Sequence, residues 1–198
     1  MQLFGSKTHL KNRERETGKA GNAIGPEVIE QCKNGDRLAQ KAVYDSLSSK
    51  MYAVCIRYMG GDRDAAADIL QDGFVTLFTK LDSYSGEGSF EGWARKIFVN
   101  TALMSLRKKD VLKQSEDVDA AWNVSSGDPT PIQNIGYQEL CKMIAALPPG
   151  FRTVFNMYVV EGFSHKEIAE ALEISETTSR SQLQRARTLL QNKIKEKF

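Results

Sequence analysis

Arg180, Gln184, Arg185 and Arg187 stand on one stretch whose apolar residues recur at Leu183, Ala186, Leu190 and Ile194. That 3- and 4-residue spacing predicts a helix with a buried stripe and a polar outer face. Arg presents paired donors to the O6 and N7 of guanine, and Gln matches the N6 and N7 of adenine. A rigid helix carrying both is therefore a reader of base edges in the DNA major groove. Upstream, Glu161-Gly162-Phe163 forms a turn and Ser164-His165-Lys166-Glu167 fits a capping box. Ile168, Ala169 and Leu172 then face inward, and Ile174-Ser175 begins the last helix. Helix, turn and basic helix in that order predict a helix-turn-helix. Phe151, Val154, Phe155, Tyr158 and Val159 supply an apolar stripe on the helix before it, which Pro148-Pro149-Gly150 separates from a further short helix.

A second group lies in the first half. Asp68, Gln71 and Asp72 are three and four apart and share one helix face, suited to Arg and Lys of a partner. Arg95, Lys96, Arg107, Lys108 and Lys109 form a basic block without an acid, and the stretch from Arg180 to Lys197 carries six basic groups against Glu196 alone. Two separate basic blocks imply a polyanion touched at two places. By itself, either block is equally well read as a solvated helix face.

The elements that must position these groups are helical. Residues 1–26 are a basic arm of net charge +3 without apolar periodicity. From Glu27 the apolar residues fall at helical spacing through Tyr58, and Gly60-Gly61 breaks the pattern. Asp64 is the predicted N-cap of a helix from Ala65 to Leu81, residues 83–88 read as a loop, and Ser89 caps a helix containing Trp93 and Ile97. Trp93 is read as core rather than as a base-stacking group. Residues 111–135 lose periodicity and gain Ser, Gly and Pro, which marks a linker able to extend roughly 80–90 Å at ~3.3–3.6 Å per residue. Helical pattern resumes to the C-terminus. The expected fold is all-α: two small helical domains, 27–110 and 136–198, joined by a flexible linker, the second a helix-turn-helix.

Composition excludes other classes. Hydrophobic residues make up 41% and charged residues 26%, as in a globular chain. No apolar run reaches the roughly 20 residues of a membrane span and no secretory segment opens the chain, so the expected location is the cytoplasm, without direct membrane insertion. Cys32, Cys55 and Cys141 read as buried reduced thiols. No metal-ligand spacing, phosphate loop or catalytic triad is present, so no cofactor, metal or enzymatic activity is expected. Gly86-Glu87-Gly88 is no nucleotide fingerprint, having neither strand nor third glycine.

The run Leu147-Pro148, Arg152, Val154-Phe155, Glu161-Gly162, Ser164, Glu167-Ile168-Ala169, Leu172, Thr178, Ser181, Leu183, Arg185-Ala186-Arg187 resembles the last domain of bacterial RNA polymerase sigma factors of the extracytoplasmic-function group. Residues 66–74 are similar to that family's polymerase-binding helix, and Phe90, Trp93, Ile97, Asn100 and Arg107 match its promoter-facing helix. The two halves occur in the family's order. The resemblance implies binding to core RNA polymerase, at the clamp helices of its largest subunit, through Asp68, Gln71, Asp72 and Phe74. It implies contacts to the −10 element from Tyr84, Ser85, Phe90, Arg95, Lys96, Asn100 and Arg107. The −35 element falls to His165, Lys166, Thr178, Arg180, Ser181, Gln184, Arg185 and Arg187. An anti-sigma partner is implied as well. Ala67 and Met104 depart from the family, which carries Glu at the first position and usually a polar residue at the second. The rival reading is a stand-alone helix-turn-helix regulator with an N-terminal sensory domain.

Overall fold

The computed structural model describes residues 24–108 and 136–197. The linker 111–135 and all but the last three residues of the arm 1–26 lie outside the described residues. Everything regular among the described residues is helical. The first half contains α1 (Pro26–Lys33), α2 (Arg37–Tyr58), α3 (Arg63–Thr79), a 3₁₀ turn (Leu81–Ser83) and α4 (Phe90–Lys108). The second contains α5 (Tyr137–Ala145), α6 (Pro149–Phe155), a π turn (Asn156–Val160), α7 (His165–Leu172) and α8 (Glu176–Lys197).

Local chemistry sets most of the boundaries. Asp36 caps α2 by accepting from the Leu38 and Ala39 N–H groups at 2.8 and 2.9 Å. Past α2, Gly60 and Gly61 take φ of +67° and +89°, which reverses the chain at little steric cost. The cap of α3 is Asp62 and not Asp64: its carboxylate accepts from the Asp64 and Ala65 N–H groups at 3.1 and 3.0 Å. The helix also ends at Thr79, before Leu81, which is buried by the 3₁₀ turn. The start falls two residues early because Asp62 leaves the glycine turn already extended, and the end falls two residues early where the chain tightens into the 3₁₀ turn. As expected, Ser89 accepts from the Gly92 N–H at 2.9 Å at the start of α4.

In the core of the first half, Gly73 on α3 faces the ring of Phe98 on α4. A β-carbon at Gly73 would lie 2.3 Å from that ring, so only glycine lets the two helices approach this closely. Phe98 in turn meets Phe74 edge-on, with centroids 5.1 Å apart.

The second half follows its capping signals. Ser164 and Glu167 form the full capping box, Gly162 turns the chain at φ +78°, and Ser175 accepts from the Thr178 N–H at 2.9 Å. Ser175 is thus the cap, and α8 begins at Glu176 rather than at Ile174-Ser175. Leu183, Ala186, Leu190 and Ile194 are buried as the periodicity predicts. The stripe on the preceding helix is not: Phe151 and Val154 are buried, but Tyr158 and Val159 are exposed. The π turn explains this. The Glu161 N–H donates to the Asn156 carbonyl five residues back, at 3.0 Å, so one extra residue turns the later side chains outward.

Met143, Leu147, Phe151, Ala186, Leu189, Leu190 and Ile194 make a small core inside the second half. The larger core is continuous across the two halves. Val154, Met157, Ile168, Leu172 and Leu183 join the apolar residues of α2, α3 and α4. A linker between independent domains did not foretell this docking.

Candidate nucleic-acid and polymerase interfaces

On α8 the first three turns present Arg180, Ser181, Gln184 and Arg187 to solvent, with Thr178 and Arg185 half-buried. Arg180 lies 2.7 Å from Glu176 one turn earlier. Such an exposed pair contributes little and yields readily to a base or phosphate. Thr178 and Ser181 are tied locally: Thr178 Oγ1 is 2.8 Å from Ser175 Oγ, and Ser181 Oγ donates to the Thr178 carbonyl at 3.0 Å. Lys166 is exposed at the start of α7.

His165 is built into a stack. Its ring lies on Tyr158 with centroids 4.5 Å apart, its Nδ1 is 2.9 Å from Ser179 Oγ, and the Arg187 guanidinium sits 5.9 Å from the centroid of the same Tyr158 ring. Burial, followed by the charge of Arg180, holds the His165 pKa below its ordinary value, favouring the neutral ring. The outward turn of Tyr158 therefore has a structural consequence: it fastens α7 to α8.

On α3, Asp68, Gln71 and Asp72 are exposed in one row, followed by exposed Val75. Phe74, expected in the polymerase contact, is only 5% exposed and packs between Tyr44, Phe78 and Phe98. Two residues on from Asp72, about 200° round at 3.6 residues per turn, it falls on the inner face of α3.

The loop before α4 corrects two further expectations. Tyr84 and Phe90 are buried, and their rings pack on each other and on half-buried Trp93 with centroids 5.3–5.6 Å apart. Tyr84 also donates its hydroxyl to the Gly88 carbonyl at 3.0 Å, closing the loop. These rings shape the loop and do not offer a stacking face. Ser85, Lys96 and Asn100 are exposed. Arg95 and Arg107 are not unpartnered: Arg95 Nη1 lies 3.4 Å from Glu161, and Arg107 Nη1 lies 3.1 Å from Glu173.

Sequence reasoning passed over the groups that join the halves. Arg152 is 8% exposed and donates to the carbonyls of Tyr58 (3.3 Å), Ala145 (2.9 Å) and Leu147 (3.0 Å). Asn156 Nδ2 donates to the Arg57 carbonyl at 3.3 Å, and Arg57 Nη2 donates to Glu161 at 2.9 Å. The one available signal was chemical: an Arg and an Asn inside otherwise apolar helix faces need polar partners once buried.

Residues 43–111 match the sequence pattern of Sigma-70 region 2, and residues 137–190 match Sigma-70, region 4. The chain is also 28% identical over 179 residues to the ECF RNA polymerase sigma-E factor of Haemophilus influenzae, covering 84% of this chain and 93% of that protein. The chain belongs to the sigma-70 family, in its extracytoplasmic-function group. The corresponding sigma-E factor of Escherichia coli strain K12 is 29% identical over 179 residues, with 84% and 92% covered. A solved structure of the sigma factor RpoE with the anti-sigma factor NepR, from Bartonella quintana, shares the fold at a TM-score of 0.50 and 23% identity, covering 78% of this chain and 96% of that one.

This sigma factor directs promoter recognition and transcription initiation. Its first half is region 2 and not the sensory domain of a stand-alone regulator. No helix among the described residues is long and apolar enough to cross a membrane.

Proposed function

We propose that the sigma factor divides its work among three surfaces. The exposed row Asp68, Gln71 and Asp72 on α3 docks on basic groups of the clamp helices in the largest subunit of core RNA polymerase. Ser85, Lys96 and Asn100, with Arg95 and Arg107, face the −10 element. The outer face of α7 and α8, with Lys166, Arg180, Ser181, Gln184 and Arg185, reads the −35 element, while His165, Thr178 and Arg187 hold that face in shape. The domains run from 27 to 110 and from 136 to 198, the linker 111–135 sets their reach, and the protein acts in the cytoplasm. An anti-sigma protein is its negative partner, by analogy with the complex from Bartonella quintana.

The observation that carries this reading is the pairing of an exposed acidic row on α3 with an exposed Arg and Gln face on α8. Run-off transcription with core polymerase tests it. Asp72→Lys is expected to weaken binding to core polymerase about tenfold, ~1.4 kcal/mol, with both halves still folded. Unchanged binding by this variant removes the α3 assignment. Gln184→Ala is expected to cost about 1–3 kcal/mol at a single base pair of the promoter and to relax preference there. An equal loss on all promoters would make Gln184 a backbone contact instead.

A further inference from the structure

On α4 the side chains that stand in solvent fall into one row. At about 100° per residue, Lys96, Asn100, Met104 and Arg107 lie within about 80° of arc, and all four are exposed. Lys108 follows them, and the one acid of the helix, Glu91, lies in its first turn. A row with cations at both ends and an amide between them suits a polyanion. Met104 is foreign to that chemistry. It is 58% exposed, whereas Trp93 and Ile97 are half-buried and the other large apolar side chains of α4 are buried. Leu103 and Leu106 close the core beside it, so the fold needs no apolar group at 104.

We propose that Met104 is a specificity-determining residue that packs on the 5-methyl group of a thymine in the major groove, favouring a T·A pair within the −10 element. This rests on the reading that α4 faces that element. Lys96 and Arg107 are 11 residues apart, about 16 Å along the helix axis, and phosphates held by both press the side chains between them into the groove. The pair that Arg107 makes with exposed Glu173 yields readily to a phosphate.

Base chemistry decides what Met104 meets there. A thioether donates no hydrogen bond and accepts only weakly. Over the edges of guanine, adenine or cytosine it would cover donors and acceptors without pairing them. Thymine is the one base with an apolar group on its major-groove edge. The unbranched, polarisable methionine side chain adapts to so small a target. Four residues, about 6 Å, separate Met104 from Asn100, whose amide suits adenine. At ~3.4 Å per pair, the thymine lies about two base pairs from the pair that Asn100 reads.

The test measures binding of the full chain with core polymerase to a synthetic duplex of a promoter mapped by run-off transcription. Thymine is placed at each position of the −10 element in turn, on either strand. Each is compared with uracil at the same position, which pairs alike and lacks only the methyl group. At one position uracil is expected to weaken binding about fourfold, the factor that one buried methyl group corresponds to. That position should lie about two base pairs from the one at which Asn100→Ala relaxes preference. Met104→Gln is expected to bind the thymine and uracil duplexes alike, and Met104→Leu to keep most of the discrimination. Because the side chain is exposed, neither substitution disturbs the core.

Equal binding of thymine and uracil by the unmodified protein at every position overturns the contact. So does a uracil penalty that persists undiminished in Met104→Gln, or a loss in that variant that is the same on every duplex. Failure of the −10 reading looks different, because it also silences the neighbours of Met104. Lys96→Ala and Asn100→Ala would then bind every duplex as the unmodified protein does, and both readings would fall together.

Discussion

Phe98→Ala is expected to destabilise the chain by about 3–5 kcal/mol, the range for emptying a large aromatic site in a packed core. The ring is fully buried, lies edge-on to Phe74 and fills the space left by the missing side chain of Gly73. No neighbour can collapse into the void cheaply, because Gly73 has nothing to move and Phe74 is already held by Tyr44 and Phe78. A thermal melt should show the midpoint fall by roughly 6–20 °C for a domain of this size. Loss of the α3 to α4 contact also disturbs the row Asp68, Gln71 and Asp72, so core polymerase binding should weaken in step. A midpoint shift under about 2 °C would mean that the Gly73 and Phe98 contact does not hold the two helices.

Arg152→Met is the second large effect. The substitution keeps much of the volume and removes the guanidinium, leaving the carbonyls of Tyr58, Ala145 and Leu147 without their donor. Hydrogen bonds from a charged group contribute about 1.5–3 kcal/mol each. Even with partial relaxation the loss should reach about 3–5 kcal/mol. Burial lowers the Arg152 pKa from its ordinary value; a guanidinium is nevertheless not deprotonated in proteins, so the charge stays and its three acceptors are needed.

Arg152→Lys is expected to rescue little. An ammonium is a compact point donor and cannot reach carbonyls on α2, α5 and the α5–α6 turn with one planar fork. Hydrogen exchange at α5 and α6 would report the loss in region 4 itself, through Ala145 and Leu147. Protection there equal to that of the unsubstituted chain would show that Arg152 serves only the seam with region 2.

The same two residues show where sequence stops being informative. Binary periodicity places Leu183, Ala186, Leu190 and Ile194 on the inner face of α8, and the capping box at Ser164 and Glu167 forms as spaced. These succeed because the deciding interactions are three or four residues apart, within one helix turn. The start of α3 differs by two residues from its sequence expectation because Asp62 and Asp64 are both chemically able to cap, and the geometry of the preceding glycine turn chose between them. Tyr158 and Val159 were misplaced because a π turn changes the helical phase, and nothing in the residue types marks it.

The sequence by itself determined the helical elements, the order of region 2 before region 4, and the chemistry available on α3, α4 and α8. Each of those depends on local spacing or on which donor groups a residue carries. Only the tertiary structure decided which of those groups stand exposed. It drew Phe74, Tyr84 and Phe90 into the core and gave Arg95 and Arg107 to carboxylates 66 residues away. It also joined Arg57 to Glu161 across 104 residues. Such pairings follow from how packed helices bring distant side chains together, and spacing along the chain carries no record of that.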